Sequence, residues 1–477
     1  MPLPECRTKM IATLGPSCAE VDTLVAMIRA GMDIARLNFS HGSFEDHARH
    51  IARVREAAAT AGRRVTVLAD LAGPKIRLGA VDPEVVVLRE GERFTLTTRP
   101  VTGGADRASV NLPALPTAVA PGDDVFINDG LVRLVVEEID GADVHCRVRD
   151  GGEIRSRKGV NLPNARLGIS AFTDEDRAAL AFAGSHGVEA VSQSFVERAD
   201  DIRAVRTAAR EAGYDPFIIA KIERRSAVER IDEIIDAADG IMVARGDLGV
   251  ELPIERIALV QKDVIRRANM AGRPVIAATQ LLESMTEDEL PTRAEATDVA
   301  NAVLDGADCL MLSGESAIGK HPARCVSMLV QIAREIERLR PGAAIRDALA
   351  KPTRTAVPVL SDLAAASVGA MVNHFEPAAI VVSSRSGGTA RSIARLRPIP
   401  WIIAVAESSQ ACAGLSFSSG VFPITGTPTG DDWTAFVRER IRGDLVDGDL
   451  FMLASGPSDT HPETGIRVEV IDLGRGS

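Results

Sequence analysis

Eight times along this chain a short, nearly all-apolar segment recurs, and most of the eight are followed by a stretch in which apolar residues keep helical spacing. The apolar segments are residues 10–14, 34–38, 65–70, 190–195, 217–223, 240–244, 274–279 and 309–313. Helix-period stretches run over 20–30, 44–61, 199–212, 227–237, 253–270 and 293–304. A strand that is apolar on both faces must be covered on both faces, so this alternation predicts a parallel sheet wrapped by helices. Eight units predict closure into a (β/α)8 TIM barrel, with an open doubly wound sheet as the alternative.

The third unit is interrupted. Between residue 70 and a helix starting near Thr173 lie strand-like segments at 85–88, 94–97, 125–127, 132–137 and 144–148. Asn128-Asp129-Gly130 and Asp150-Gly151-Gly152 read as turns between them. An inserted all-β domain is expected here, on a βα loop and so on the active-site side of a barrel, where it can act as a water-excluding lid. After Arg340 a stretch with Pro341, Pro352 and Pro358 reads as a linker, and a smaller α/β unit follows with strands at 378–383, 401–405, 420–424, 450–453 and 467–471. The expected organisation is a barrel from 1–70 and 171–340, a lid over 71–170, and a C-terminal α/β regulatory domain over 341–477.

Composition narrows the partners. With 55 basic against 66 acidic residues, a net charge of -11 and 3% aromatics, the chain has neither the basic footprint nor the stacking residues of a nucleic-acid binder. No apolar run approaches the ~20 residues of a membrane span. Its six cysteines form no CxxC pair, which predicts no zinc site and no disulfide framework and fits a reduced, cytoplasmic protein. Only seven of the 55 basic residues are lysines: 9, 75, 158, 221, 262, 320 and 351. Where a compact point charge is needed Arg does not replace Lys, so each lysine position is informative.

In a barrel the reactive groups sit at the carboxyl ends of the strands. Those ends carry Arg36, Asn38 and Ser40; Asp70; Lys221 and Glu223; Gly246 and Asp247; Thr279; and Ser313 and Glu315. A spacing of two puts Lys221 and Glu223 on one face of their strand. A ring of Arg, Lys, Glu and Asp at matching ends points to an active site rather than to solvated loops. Glu223 and Asp247 are hard oxygen ligands suited to Mg²⁺ or Mn²⁺. Lys221 and Arg36 beside them concentrate positive charge, as phosphoryl transfer requires. The segment Ala244 to Val250, glycine-punctuated and expected to precede a helix, offers backbone N–H groups to a carboxylate. A simple Lys221–Glu223 pair remains the structural alternative.

These residues lie in long motifs that resemble pyruvate kinase. They are Thr8-Lys9 to Ser17, Gly31 to Gly42, Gly73 to Arg77, Ser156 to Pro163, Lys221-Ile222-Glu223, Gly240 to Val250, Pro274 to Met285, Pro291 to Glu295 and Asp298 to Ser316. The resemblance spans nearly the whole chain. It implies transfer of the phosphoryl group of phosphoenolpyruvate to ADP, giving pyruvate and ATP, the last step of glycolysis. Matched by position, Glu223 and Asp247 correspond to the divalent-metal ligands and Lys221 to the cation on the migrating phosphoryl group. Arg36 matches a second clamp, and the Gly246 and Asp247 amides match the binders of the substrate carboxylate. Thr279 matches the hydroxyl near the methylene carbon. Asn38, Phe39, Ser40 and His41, with Arg77 and Lys158 from the lid side, correspond to nucleotide contacts. A homotetramer is also implied. A lyase or aldolase acting on pyruvate enolate, and a silent metabolite sensor, are the competing readings; the first has no use for Arg77 and Lys158, and the second none for the strand-end ring.

Two features refine the expectation. Many members of the resembling family hold K⁺ with residues that correspond to Asn38, Ser40, Asp70 and the Leu71 carbonyl. Here Asp70-Leu71-Ala72-Gly73-Pro74-Lys75 places a fixed ammonium near that position, as in the K⁺-independent branch, so K⁺ is expected not to be required. In the C-terminal unit Ser383, Ser384, Arg385, Ser386, Gly387, Gly388 and Thr389 follow a strand and open a helix. Such a loop can cradle phosphate, and the resemblance implies a phosphorylated allosteric effector there. The stretch Ser192-Gln193-Ser194-Phe195 departs from the more apolar usual pattern, and no role follows for Gln193.

Overall fold

The computed structural model describes residues 3–128, 130–163, 170–339, 360–372, 374–384, 386–456 and 465–474. In chain order the first strands are β1 (Lys9–Thr13), β2 (Met32–Asn38) and β3 (Thr66–Leu71). The insertion contributes β4 (Val86–Leu88), β5 (Arg93–Thr97), β6 (Arg107–Ser109), β7 (Asp124–Ile127), β8 (Val132–Asp140), β9 (Asp143–Asp150), β10 (Gly152–Ile154) and β11 (Val160–Asn161). Then follow β12 (Ala190–Gln193), β13 (Phe217–Ile222), β14 (Gly240–Ala244), β15 (Val275–Ala278) and β16 (Cys309–Leu312). The eight apolar segments of the sequence become β1–β3 and β12–β16, and these eight close into one parallel barrel.

The barrel is filled, not hollow. Ile11, Ile34, Leu68, Ile219, Met242 and Ile276 pack inside it, and Phe417 from the C-terminal unit stacks on Phe217 at 5.1 Å. The Cys309 thiol donates to the Phe417 carbonyl, which ties the C-terminal unit to that packed interior. A second core, including Leu24, Ile28, Val67, Ile218 and Val264, lies between strands and helices. Long helices begin where the chain supplies caps: Ser43 with Asp46, Thr173 with Asp176, and Thr292 with Glu295 each form a capping box. Each is worth roughly 1 kcal/mol. The stretch 227–237, expected as one helix, is two, Arg225–Glu229 and Ile231–Ala237. The chain leaves helical geometry at Arg230, which lets Ile231, Ile234 and Ile235 turn onto the core.

The insertion is a six-stranded sheet of order β11-β7-β8-β9-β5-β6 with a two-stranded companion, β10-β4. It has its own core around Phe94, Leu96, Leu134 and Val148, and one short helical turn, Leu115–Ala118. Its entry is a tight corner at Gly73, where φ is +64° and a Cβ would lie 2.8 Å from the Phe195 ring. The Gly73 N–H is held by Asp176. The C-terminal unit has β17 (Ala379–Ser384), β18 (Trp401–Ala406), β19 (Val421–Thr425), β20 (Leu450–Ser455) and β21 (Arg467–Asp472) in the order β19-β18-β17-β20-β21. Alternate residues of β17 and β18 face two separate cores, as in a sheet covered on both sides.

Candidate active site

The register of the barrel strands sets the site. Thr13 lies opposite Arg36, Asn38 opposite Asp70, and Asp70 opposite Ser192. Polar side chains at the ends of four neighbouring strands therefore converge on Asp70. Arg36 donates from Nε and Nη2 to Asp70 Oδ2 at 3.0 and 2.5 Å, and from Nη1 to the Thr13 hydroxyl at 2.7 Å. Thr13 in turn donates to the Leu312 carbonyl on β16. Ser192 donates to Asp70 Oδ1 at 2.6 Å. Lys221 lies 3.4 Å from Asp70 and 2.8 Å from Glu223 Oε1, and donates to the Ser194 hydroxyl at 2.7 Å. The second oxygen of Glu223 receives the Phe195 N–H at 2.7 Å.

This cluster is nearly sealed: Arg36 and Lys221 are each 8% exposed, Asp70 and Glu223 each 2%. Burial alone would push the Asp70 carboxyl up, but Lys221, then Arg36 and the Ser192 and Arg36 hydrogen bonds, bring it down to about 2. Burial likewise disfavours the Lys221 ammonium, and Asp70 and Glu223 outweigh it, so its pKa is raised. Lys221 is thus a fixed cation at any working pH. Glu223 is raised by burial and by Asp247, against the pull of Lys221. The Lys221–Glu223 pair expected as a structural alternative exists. It does not exhaust the surroundings of Glu223, which also feels the charge of Asp247.

The segment Arg245–Glu251, expected as a loop before a helix, is itself a short helix. Gly246 and Asp247 stand in its first turn, where N–H groups have no helical acceptor. Arg245 fastens this turn to the next strand end, donating to the Thr279 carbonyl at 2.6 Å and to Asp298 at 2.6 Å. The Gly246 N–H donates to Thr279 Oγ1 at 2.8 Å, and that hydroxyl donates to the Ala278 carbonyl. Phe195, Thr279 and Gln280 all carry positive φ, 57°, 68° and 52°, so the strained backbone of the barrel gathers at this mouth. A cavity of about 680 Å³ opens beside it, between Phe126 and Arg133 of the insertion and Gly246 and Gln280 of the barrel. Lys221, Glu223 and Arg36 do not line it, because they are buried in one another's company.

Two carboxylates, Glu223 and Asp247, stand close enough to act on each other electrostatically, and no group of three or more His, Cys, Asp or Glu with metal-holding geometry occurs among the described residues. That donor set fits Mg²⁺ or Mn²⁺, which bind through one or two carboxylates, waters and substrate phosphate rather than an all-protein cage.

The other expected positions fall into three groups. Asn38 Oδ1 accepts the Ser40 N–H, and the Leu71 carbonyl accepts the Ser194 hydroxyl. Phe39 turns its ring onto His47 at 4.2 Å, into a cluster with Phe44 and Phe182. His41 is lowered by burial and then by the charges of Lys75, Arg77 and Arg36. Arg77 and Lys158 lie on two neighbouring segments of the insertion outside its strands, where Arg77 forms an isolated bridge with Gly159 and the Leu78 N–H donates to the Lys158 carbonyl. Of the C-terminal loop, Ser383 and Ser384 end β17 and Gly388 and Thr389 open the helix Gly388–Ala394. Gly387 has φ +82°, and the Ser386 carbonyl accepts from Arg391 at 2.9 Å. The Ser384 hydroxyl is buried without a partner among the described residues, and Arg385 lies outside them. Ser313 and Glu315, also read as strand-end groups, are structural neighbours: Glu315 accepts the Ser313 and Leu282 N–H groups. Thr13 was not singled out by sequence; Ser192 and Ser194 lie in the polar stretch noted there, which drew attention to Gln193, although the spacing of two between the serines was a usable signal.

A family model described as pyruvate kinase, barrel domain, matches residues 5–326, and one described as pyruvate kinase, alpha/beta domain, matches 362–458. A pyruvate kinase of Thermococcus litoralis is 41% identical over 462 residues, 96% of each chain. One from Clostridium acetobutylicum is 38% identical over 98% of this chain and 100% of its own. A human pyruvate kinase is 43% identical over 94% of this chain and 82% of its own.

Proposed function

The chain belongs to the pyruvate kinase family, and from that premise we propose that the barrel mouth transfers the phosphoryl group of phosphoenolpyruvate to ADP. The observation that carries this reading is the buried cluster in which Lys221 and Arg36 are braced by Asp70 while Glu223 pairs with Lys221 and feels the charge of Asp247. Two preorganised cations in a water-poor site stabilise charge that develops on a phosphoryl group in flight, with little reorganisation at the moment of transfer. Arg36 and Lys221 bind and orient that group. Lys221 stays charged throughout, so it is an electrostatic clamp and not the proton source.

The proton comes from the Thr279 side. Before substrate binds, the Gly246 N–H is spent on Thr279 Oγ1. A substrate carboxylate at the Gly246 and Asp247 amides takes that N–H, and the hydroxyl proton then has to leave the Ala278 carbonyl to turn toward the methylene carbon of the enolate. Glu223 and Asp247 would hold Mg²⁺ or Mn²⁺, which neutralises phosphate and enolate charge when bound. ADP lies along Asn38, Phe39, Ser40 and His41, with Arg77 and Lys158 reaching it from a lid formed by residues 71–170.

Three further parts belong to this reading. K⁺ is not required: Lys75 supplies a cation beside His41, and the oxygens of Asp70, Leu71 and Asn38 are already taken by the chain's own donors. The loop Ser383–Thr389 receives a phosphorylated effector, and the enzyme works as a homotetramer. Its place is the cytoplasm, in keeping with six cysteines that are all free and buried. No helix among the described residues is long and apolar enough to cross a membrane. A lactate-dehydrogenase-coupled assay with phosphoenolpyruvate, ADP and Mg²⁺, run with and without K⁺, tests the core of this. Turnover is expected in both, within about twofold. Absence of turnover in either buffer would sink the assignment, and strong rescue by K⁺ would sink the cation part alone.

A further inference from the structure

The stretch Ser192-Gln193-Ser194 stood out in the sequence for its polarity, with Gln193 the conspicuous member. Strand parity separates the three. Ser192 and Ser194 point to the mouth, where they meet Asp70 and Lys221. Gln193 points outward, and its amide donates to the carbonyls of Ala171 at 2.7 Å and Ser194 at 3.0 Å. It ties the start of the barrel's return segment to the strand end and does not face the reacting groups.

Ser192 sits at the root of the cluster. Asp70 Oδ2 receives two hydrogen bonds from Arg36 and lies 3.4 Å from the Lys221 ammonium. Oδ1 receives the Ser192 hydroxyl at 2.6 Å, a charge-assisted distance, and otherwise only the Lys221 ammonium at 3.4 Å. Ser192 is fully buried and lies directly opposite Asp70 in the strand register, so the hydroxyl and carboxylate meet with no freedom to drift. Without this bond Oδ1 keeps only the longer Lys221 contact among the described residues, so the carboxylate is held from the Oδ2 side alone and can tilt, and a tilt carries the Arg36 guanidinium with it.

We infer that Ser192 is a positioning residue for phosphoryl transfer, holding the Asp70 carboxylate in the one orientation that aims Arg36, and with it Lys221, at the phosphoryl group. The inference rests on the reading that Arg36 and Lys221 clamp that group. Ser192 does not touch substrate. Its effect passes through Asp70, so it falls on phosphoenolpyruvate and not on ADP.

The test uses the full chain with Mg²⁺, measuring the KM of each substrate in the coupled assay and phosphoenolpyruvate affinity by calorimetry without ADP. Ser192→Ala is expected to weaken phosphoenolpyruvate binding about tenfold, the scale of one hydrogen bond to a charged group, and to leave the ADP KM within twofold. Ser192→Cys, which keeps the shape with a weaker donor, should fall between, and it decides the matter if the Ala variant does not fold. In an Arg36→Lys background the Ser192→Ala penalty should shrink, because the two changes act on one unit. Phosphoenolpyruvate affinity within twofold of wild type, equal losses for both substrates, or full additivity with Arg36→Lys would each overturn the inference while wild-type activity stands. A wild-type chain without phosphoenolpyruvate-dependent ATP formation overturns the underlying reading and this one with it.

Discussion

The cations of the barrel mouth and those of the insertion are held in opposite ways. Arg36 and Lys221 are buried and committed to carboxylates, with Asp70 serving both. Lys75, Arg77 and Lys158 are only half-buried, and none has a carboxylate at salt-bridge distance among the described residues. Arg77 reaches only the Arg157 carbonyl. The lid's own ion pairs run elsewhere, through Arg133–Asp124 and Arg147–Glu137. A buried cation needs its anions to exist at all, and its geometry is then fixed before substrate arrives. An uncompensated surface cation is cheap, adaptable and open to whichever phosphate comes near. On the function proposed above, the barrel set suits the one position where bonds break, and the insertion's set suits a nucleotide that enters and leaves.

The largest expected effect breaks the barrel side. Lys221→Met should lower kcat by at least ~10³-fold, the upper scale for losing one preorganised electrostatic group. It should also destabilise the fold by about 3–5 kcal/mol, because Asp70 and Glu223 are left as buried charges without their shared partner. Thermal denaturation beside the coupled assay checks both halves. A mutant of wild-type stability would show that solvent reaches this cluster and that the contrast with the lid is overdrawn.

A smaller effect reads the same contrast through pH. Asp70 is depressed to about 2 in the folded chain against ~3.9 for a free aspartate, so it binds its proton more readily when unfolded. Its contribution, about 2 kcal/mol, is therefore present above pH ~4 and lost as pH falls toward 2. Urea denaturation between pH 5 and 3 should show stability falling, with a shallower fall in Asp70→Asn. In the insertion Glu137 is also lowered, by the Arg147 hydrogen bond, but it lies at the surface and its pair is screened. Glu137→Gln should leave the acid limb unchanged.

What the sequence disclosed follows the same division. The eight strands and the insertion were legible because apolar runs and turn residues report burial and reversal directly. The strand-end charges were legible because Arg, Lys, Asp and Glu at the ends of apolar runs are costly unless used. The polar stretch containing Ser192 was legible but the partner of Ser192 was not, nor that of Thr13, since a hydroxyl in a buried strand is compatible with many neighbours, and only the register reveals which carboxylate or guanidinium it meets. The helix Arg245–Glu251 was also missed. Its two glycines argue for a loop, and the tertiary anchor that overrides them, Arg245 on Asp298, comes from residues 53 apart.

The smallest effect probes the lid. Arg77→Ala and Lys158→Ala each remove a half-buried charge with no ion-pair partner among the described residues, so stability should stay within a few tenths of a kcal/mol, as for ordinary surface changes. The ADP KM should rise about three- to tenfold while the phosphoenolpyruvate KM stays within twofold. Because exposed charges are screened over a Debye length of ~10 Å at 0.1 M salt, the wild-type ADP KM should also rise with added salt, and each variant should flatten that dependence. Arg36→Lys gives the reciprocal pattern: a change in phosphoenolpyruvate KM that salt hardly alters, because the pair is shielded from solvent. Equal salt sensitivity at both sites would mean that the two sets of cations are one electrostatic field, and that their different burial has no functional consequence.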